Sequence, residues 1–161
     1  MVSLTLEIQT TRDISHQIVR HRSFSFQEFS QRYAKTESFE FRETRLQDPK
    51  NRQNSLELDY ETDEHCRINE DFSMNQHTVL RGARHAYEAA LKAGIAKEQA
   101  RAVLPEGMST TTLYMAGTLR SWIHYCQLRM ANGTQKEHAD IAKECWKIIG
   151  THFPSVIRAF E

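Results

Sequence analysis

The sequence predicts an α+β fold: a single helix-dominated domain over residues 1–161 with a small antiparallel sheet. Apolar and polar residues alternate near the N-terminus, as they do in a half-buried strand. Two later segments repeat their apolar residues at the helical period instead. The length of 161 residues suits one domain, and 39% apolar with 26% charged residues is ordinary for a globular protein.

The first elements follow from short-range patterns. Every second residue from Val2 to Ile8 is apolar, which predicts a strand with one buried face. Thr10 or Thr11 then offers a hydroxyl that can cap a helix reaching about Arg20. Residues 21–37 are rich in Ser, Gln and Arg and lack a long apolar stripe, so a short helix or an ordered loop is expected there.

Two short strands are predicted in the middle of the chain, because aromatic and aliphatic residues alternate there with charged neighbours. They contain Phe39 and Phe41 in the first strand, and Leu56, Leu58 and Tyr60 in the second. The polar stretch between them, Glu43 to Asn54, includes Asp48-Pro49 and is expected to be an exposed loop.

A long helix is predicted after Thr62-Asp63, with Gly94 as its C-terminal stop. Its apolar stripe consists of Val79, Leu80, Ala83, Tyr87, Ala90 and Leu91. A short helix from Ala96 to Val103 should then end before Pro105.

A strand at Thr110 to Met115 and two further helices complete the prediction. The first of these helices has an apolar stripe at Leu119, Trp122, Ile123, Cys126 and Met130. Thr134 to Glu137 has the pattern of a capping box that opens the last long helix, which Gly150 should close.

Composition excludes several classes of protein. No run approaches the roughly 18 apolar residues that span a bilayer, and the N-terminus lacks the pattern of a signal peptide, so a cytoplasmic protein without membrane contact is expected. A net charge of zero argues against nucleic-acid binding. Locally, however, four arginines and two histidines between Arg12 and Arg32 face only Asp13 and Glu28, which favours a small anionic ligand.

The three cysteines are an odd number without CxxC spacing, which argues against a disulfide framework and against a zinc site. Cys126 and Cys145 lie on apolar stripes and are interpreted as buried thiols. A cysteine nucleophile stays an alternative, although no pattern singles one out. No metal site is predicted.

The segment from Arg20 to Tyr33, RHRSFSFQEFSQRY, has the composition of an anion site. Guanidinium groups are planar, permanently charged partners for phosphate, and serine hydroxyls add donors. Glu28 is either a counter-ion that holds an arginine in place or an acceptor for ribose or base groups. The alternative is a solvated basic surface helix with one glutamate.

This segment resembles the motif RHRxxSxxExSxRY of the flavin-dependent thymidylate synthases. All eight fixed residues match, namely Arg20, His21, Arg22, Ser25, Glu28, Ser30, Arg32 and Tyr33. Residues 15–19 before the motif and residues 45–48 and 51–55 after it are also similar to the family. So are residues 100–105, residues 119–124, Leu128-Arg129 and residues 133–137. The resemblance extends from about residue 2 to residue 150.

The resemblance implies reductive methylation of deoxyuridine monophosphate (dUMP) to thymidylate, with FAD as cofactor and NADPH and 5,10-methylenetetrahydrofolate as co-substrates. It implies a homotetramer in which neighbouring chains share active sites, with Glu28, Ser30, Gln31 and Arg32 reaching the nucleotide of an adjacent subunit. Arg129 would face the uracil imide and activate carbon 5. The implied dUMP ligands are Gln17, Arg20, Glu28, Ser30, Gln31, Arg32, Arg101 and Arg129. The implied FAD ligands are Arg20, His21, Arg22, Glu28, Thr118, Leu119, Arg120 and His124.

Helix geometry is compatible with these roles. Arg120 and His124 are four residues apart and share a helix face, whereas Arg129 points about half a turn away. One helix can therefore address the flavin with one face and the nucleotide with the other. Taken singly, each of these side chains is equally typical of a solvated helix surface.

Two departures from the family pattern bear on activity. Members of the family normally have a substantial segment before the strand at Val2–Ile8, so an N-terminally short form is expected, and Gly133-Thr134 stands where His-Ala is commoner. An inactive or partial homologue that keeps only nucleotide and flavin binding is the alternative function. A third interpretation, RNA or DNA binding, is disfavoured because Phe24, Phe26 and Phe29 do not form a stacking array.

Overall fold

The computed structural model describes residues 2–36 and 38–160. Its strands are β1 (Ser3–Thr11), β2 (Ser25–Glu28), β3 (Leu46–Gln47), β4 (Ser55–Leu56) and β5 (Thr110–Thr118). Its helices are α1 (Arg12–Ile18), α2 (Asp63–Lys92), α3 (Lys97–Ala100), α4 (Leu119–Arg129), α5 (Lys136–His152) and α6 (Pro154–Arg158), with a 3₁₀ turn at Arg101–Val103. The α+β, helix-dominated class with a small antiparallel sheet is confirmed.

The larger sheet has β5 at its centre, antiparallel to β1 on one side and to β2 on the other. Leu6, Met115 and Phe26 lie side by side across the three strands and face the core. Glu7 and Tyr114 form the neighbouring pair on the opposite face, where the Tyr114 hydroxyl donates to Glu7 at 2.6 Å. The sheet is therefore apolar on one face only, as the alternation in β1 predicts.

Helices α1, α4 and α5 cover the apolar face of this sheet. Their fully buried side chains include Ile14 and Ile18 of α1, Trp122 and Tyr125 of α4, and Ile149 of α5. The indole of Trp122 donates a hydrogen bond of 3.2 Å to the Leu4 carbonyl, which ties α4 to β1. Because α1 and α4 follow β1 and β5 directly, the ends of the two central strands fix where both helices begin.

The long helix α2 packs on a second, smaller core, where Tyr87 lies buried with Ala100 and Leu104. Two hydrogen bonds also attach α2 to the backbone of Arg42. The side chain of Gln76 accepts from the Arg42 N–H at 2.7 Å and donates to the Arg42 carbonyl at 3.0 Å. The helix ends before Gly94, whose φ of +82° favours glycine, as predicted. The predicted stripe is only partly buried, because Val79 is 54% exposed.

Three predictions for the first half of the chain need correction. The segment predicted as a short helix or ordered loop, residues 21–37, contains the strand β2 at Ser25–Glu28; the rest of it up to residue 36 is turns and loop, and residue 37 lies outside the described residues. Phe39 forms only an isolated bridge with Ser109, and Leu58 is buried outside any strand. The stretch from Glu43 to Asn54 is not simply an exposed loop, because it contributes β3 to a hairpin with β4. Each error concerns a short strand, whose pairing partner is not visible in the local sequence.

Helix α5 differs from the prediction at both ends. It begins at Lys136, and no side-chain cap closes its N-terminus, because Glu137 pairs with Arg42 at 3.5 Å instead of completing a capping box. It continues past Gly150 to His152. A Cβ on Gly150 would lie 2.8 Å from Cγ1 of Ile157, so this glycine allows α6 to pack closely against α5 rather than ending the helix.

Within the described residues, no helix combines the length and the apolar character that crossing a membrane requires. Cys126 and Cys145 are both buried free thiols, as predicted, and Cys66 is a half-buried one.

Candidate functional site

The Arg20–Tyr33 segment starts where α1 ends. Ile18 is fully buried, and its carbonyl accepts from the backbone N–H of His21 at 3.1 Å, which turns the chain out of the helix. Phe24 then packs edge-on against Trp122 with ring centroids 4.9 Å apart. A Cβ on Gly117 would lie only 2.5 Å from Cδ1 of Phe24. The segment is thus held against the junction of β5 and α4, with Arg20, His21 and Arg22 in the turn between.

Arg129 and His21 meet at the centre of this region. Nε of Arg129 donates to Nε2 of His21 at 2.8 Å. Because a guanidinium can only donate, Nε2 of His21 must carry the lone pair and Nδ1 the proton. Burial, followed by the charge of Arg129 and by His124, lowers the pKa of His21 to about 4, so the imidazole is neutral at neutral pH. In the described part of the chain, neither terminal nitrogen of Arg129 has a hydrogen bond or an ion pair.

Two buried aromatic side chains lie behind His21. Tyr125 meets the His21 ring edge-on at 4.8 Å, and its hydroxyl is 3.1 Å from Nε2 of His138. Burial, with a further contribution from Arg129 and then His21, lowers the pKa of His138 to about 4. Burial also raises the pKa of Tyr125, so both side chains are neutral. Neither residue is identifiable from the sequence, since only burial distinguishes them from surface tyrosines and histidines.

The end of the same segment belongs to a second group of side chains. Arg32 pairs with Glu98 of α3 at 3.1 Å, and its backbone N–H donates to the Ser30 hydroxyl at 3.3 Å. Gln31 is buried, and its Nε2 has no partner. Arg101 is half-buried in the 3₁₀ turn that follows α3. Across residues 2–36 and 38–160, no hydrogen bond or ion pair links this group to Arg20, His21 or Arg129.

Two predicted ligands have partners of their own. Glu28 pairs with Arg12 at 3.2 Å, which corresponds to the counter-ion alternative, although the arginine lies outside the motif. Gln17 donates from Nε2 to Oε1 of Gln135 at 2.7 Å. Gln135 was within a segment similar to the family but had no predicted role. Its contact orients the Gln17 amide so that the oxygen of that amide points away from Gln135.

The predicted flavin ligands of α4 surround its N-terminus. The Thr118 hydroxyl caps the helix by accepting from the Ser121 backbone N–H at 3.2 Å. Leu119 donates its own N–H to the Val2 carbonyl at 3.0 Å. Arg120 and His124 are both exposed, one turn apart on the same side of the helix.

Most of the predicted arginine ligands differ from the arginines that stabilise the fold. Arg12, Arg42 and Arg45 have carboxylate partners and support the fold. Among the described residues, no carboxylate lies within ion-pair distance of the predicted ligands Arg20, Arg22, Arg101, Arg120 and Arg129. Guanidinium groups without carboxylate partners create a positive field that attracts a small anion.

Covalent catalysis by cysteine has no support at this site. Burial raises the pKa of both Cys126 and Cys145 to about 12, so neither is a thiolate at neutral pH. The described residues also contain no group of three or more His, Cys, Asp or Glu side chains arranged to hold a metal ion.

The sequence of the chain was compared with protein families and with known proteins. A family model described as "Thymidylate synthase complementing protein" matches residues 1–155. The chain is 51% identical over 161 residues to a flavin-dependent thymidylate synthase of Synechocystis sp., covering 100% of this chain and 72% of that protein. It is 48% identical over 160 residues to a probable flavin-dependent thymidylate synthase of Paramecium bursaria Chlorella virus 1, covering 98% and 71%. The corresponding protein of Thermus thermophilus is 31% identical, covering 100% and 57%.

A solved structure has a similar fold. It is a UMP/dUMP methylase, PolB from Streptomyces cacaoi, bound with 5-Br dUMP. The TM-score is 0.77 at 23% sequence identity, and the match covers 92% of this chain and 66% of that chain. At this identity the likeness concerns the fold alone. The match of the family model to nearly the whole chain, and the identity of about half to the Synechocystis protein, show that the chain belongs to the flavin-dependent thymidylate synthases, a family of enzymes.

Proposed function

We propose that this protein converts dUMP to thymidylate by reductive methylation, with FAD as cofactor and with NADPH and 5,10-methylenetetrahydrofolate as co-substrates. The observation that carries the proposal is the Arg129–His21 contact. A neutral imidazole holds the guanidinium through Nε and leaves both terminal nitrogens free to donate. Two parallel donors of this kind match an oxygen and an adjacent nitrogen of the uracil imide.

The chemistry of Arg129 follows from its charge. A guanidinium beside the imide favours the anion by charge and by hydrogen bonding, and so lowers the pKa of the imide. The added electron density in the ring makes carbon 5 nucleophilic. This route needs no cysteine nucleophile, which agrees with the two buried thiols whose pKa is about 12.

The phosphate of dUMP would bind to Ser30, Gln31, Arg32 and Arg101, with Gln17 and Arg20 completing the nucleotide site. The Arg32–Glu98 pair does not oppose this role. Its side chains are 55% and 45% exposed, and an exposed pair of this kind contributes only about 0–1 kcal/mol. Arg32 can therefore exchange Glu98 for a phosphate at little cost.

Active sites shared between chains would bring the two groups of side chains together. No hydrogen bond or ion pair connects the group of Arg32 to that of Arg129 within the described chain, which agrees with a nucleotide site that takes the two arginines from different subunits. We propose the homotetramer on the family resemblance, with which this separation agrees. We propose likewise that residues 1–161 form one thymidylate synthase domain, and a cytoplasmic location stays a prediction.

The side chains around the turn fit a flavin dinucleotide. Arg20, Arg22 and Arg120 have no carboxylate partner among the described residues and are suited to a pyrophosphate, and we assign His21, His124, Thr118 and Leu119 to the same site from the family resemblance. Glu28 would contact the flavin and the nucleotide from its place at the end of β2. When bound, the flavin would supply the reducing equivalents of the reaction, while the folate supplies the carbon.

The test is tritium release from dUMP labelled at carbon 5, measured with FAD, NADPH and methylenetetrahydrofolate present. The proposal predicts a yellow protein that releases tritium. Arg129→Gln should abolish release, whereas the control Arg158→Gln, an exposed arginine of α6, should not affect it. Flavin and dUMP binding without any release would instead support the alternative of an inactive or partial homologue. Failure to take up flavin would contradict both.

Shared sites can be tested by mixing inactive variants. If Arg32 and Arg129 act from different subunits, Arg32→Ala and Arg129→Ala are each inactive alone. Mixed tetramers of the two variants should regain activity, because some sites then receive both intact arginines. Absence of recovery in oligomers verified to be mixed would contradict the sharing of sites.

A further inference from the structure

A buried polar pair joins α4 to α5 beneath the Arg129–His21 contact. Nε2 of His138 lies 3.1 Å from the Tyr125 hydroxyl, and both side chains have no exposure to solvent. Nδ1 of His138 is buried and has no partner. The pair thus satisfies one imidazole nitrogen and leaves the other unsatisfied.

The surroundings of this pair are apolar. Trp122, Cys126, Ala142, Cys145 and Ile149 are buried in the same core. An imidazole with one unsatisfied nitrogen is less favourable in such a place than an aliphatic side chain of similar volume. The cohesion of α4 and α5 therefore does not require the pair, which suggests that it serves another purpose.

The neighbouring contacts indicate that purpose. The Tyr125 ring meets His21 edge-on with centroids 4.8 Å apart and planes at 85°, and the His138 ring is 6.2 Å from His21 at 87°. Arg129 lies one helical turn after Tyr125 on α4. The His21 ring therefore contacts two side chains of α4 at once, the Tyr125 ring and the Arg129 guanidinium.

We propose that Tyr125 and His138 are positioning residues whose mutual hydrogen bond fixes the His21 ring in the orientation that accepts from Nε of Arg129. The proposal rests on the role of Arg129 in the proposed function. The bond to His138 on α5 restricts rotation and displacement of the Tyr125 ring. The fixed ring edge in turn prevents the His21 imidazole from turning over.

The orientation of His21 matters because its two nitrogens differ. With Nε2 toward Arg129 the lone pair accepts, and Nδ1–H is free to donate elsewhere. A ring turned by half a rotation would present the Cε1–H group to the guanidinium, and the other tautomer would present an N–H. In either case Arg129 would lose its only side-chain hydrogen bond among the described residues, and its terminal nitrogens would no longer be held in one direction.

Three variants separate positioning from stability. Tyr125→Phe keeps the ring but leaves His138 without a partner. His138→Leu removes the imidazole and leaves the tyrosine hydroxyl unpaired. The double variant Tyr125→Phe/His138→Leu removes both polar groups, so its melting temperature should return to the wild-type value or exceed it. Ile149→Val is the matched control, since it creates a small cavity in the same core about three helical turns from His138 on α5.

Two measurements follow His21 itself and the nucleotide. The first is the pair of ring ¹⁵N chemical shifts of His21 in histidine-labelled protein, identified by their absence in His21→Phe. The second is dUMP affinity of the flavin-loaded protein by calorimetry. We expect one protonated and one unprotonated nitrogen in the wild type. In all three variants the two His21 chemical shifts should move toward each other. The variants should also bind dUMP about tenfold more weakly, which is a loss of about 1.4 kcal/mol in binding free energy.

The double variant distinguishes a positioning role of the Tyr125–His138 pair from a purely structural one. If it regains wild-type melting temperature while the His21 shifts and dUMP affinity stay altered, the pair positions His21. If shifts and affinity recover together with stability, the pair is merely structural and the proposal is overturned. Because the His21 shifts are measured without nucleotide, altered shifts in a protein that never binds dUMP would support the positioning role while contradicting the proposed function.

Discussion

Acid should destabilise this protein through its buried histidine. The pKa of His138 is about 4 in the folded chain, against an ordinary value of 6.5. The unfolded chain therefore binds more protons than the folded chain between these values. The stabilising effect of a neutral His138 is fully present above pH 6.5 and is lost as pH falls toward 4. Because His138 is fully buried, solvent does not screen this effect.

The expected magnitude follows from the two pKa values. At about pH 7.5 both states are neutral at this position, whereas at about pH 5 the unfolded state is almost fully protonated and the folded state is not. The difference corresponds to a loss of about 2 kcal/mol in the free energy of unfolding for this one group. His21, which is half-buried and also has a lowered pKa, contributes a screened loss in the same direction.

Denaturant titration of the wild type and of His138→Leu, at fixed protein concentration and at both pH values, measures this loss. The variant should lose about 2 kcal/mol less than the wild type on acidification. His85→Gln, on the exposed side of α2, controls for removal of a histidine elsewhere. Equal losses in the wild type and in His138→Leu would refute the reasoning, because His138 would then titrate alike in both states.

Two further substitutions test packing and charge. Gly117→Ala should destabilise the protein by about 1–3 kcal/mol, because the added Cβ would clash with the Phe24 ring. The double variant Gly117→Ala/Phe24→Leu should recover part of this loss, as measured by its melting temperature. Arg42→Met should cost about 2 kcal/mol in denaturant titration, because it deprives the Asp13 and Glu137 carboxylates of their shared partner; a cost near zero would mean that solvent replaces that partner.

Part of the site could be predicted from sequence because it is encoded locally. The Arg20–Tyr33 motif and the helix carrying Arg120 and Arg129 are contiguous segments, so their resemblance to the family is visible in the local sequence. The roles of the individual side chains stay predictions. Gln135, Tyr125 and His138 could not be found in this way, since their importance depends on contacts with residues far away in the chain.

The sequence by itself determined the α+β class, the family, and the elements whose own periodicity is long enough to be unambiguous, such as β1, α2 and α4. The tertiary structure alone decided that Ser25–Glu28 is a strand, that α5 runs past Gly150, and that His138 is buried against Tyr125. The physical reason is the range of the interactions. Periods of 2 and 3.6 are properties of neighbouring residues, whereas a four-residue strand such as β2 gains its hydrogen bonds from β5, and a histidine stays neutral at acidic pH only where other elements enclose it.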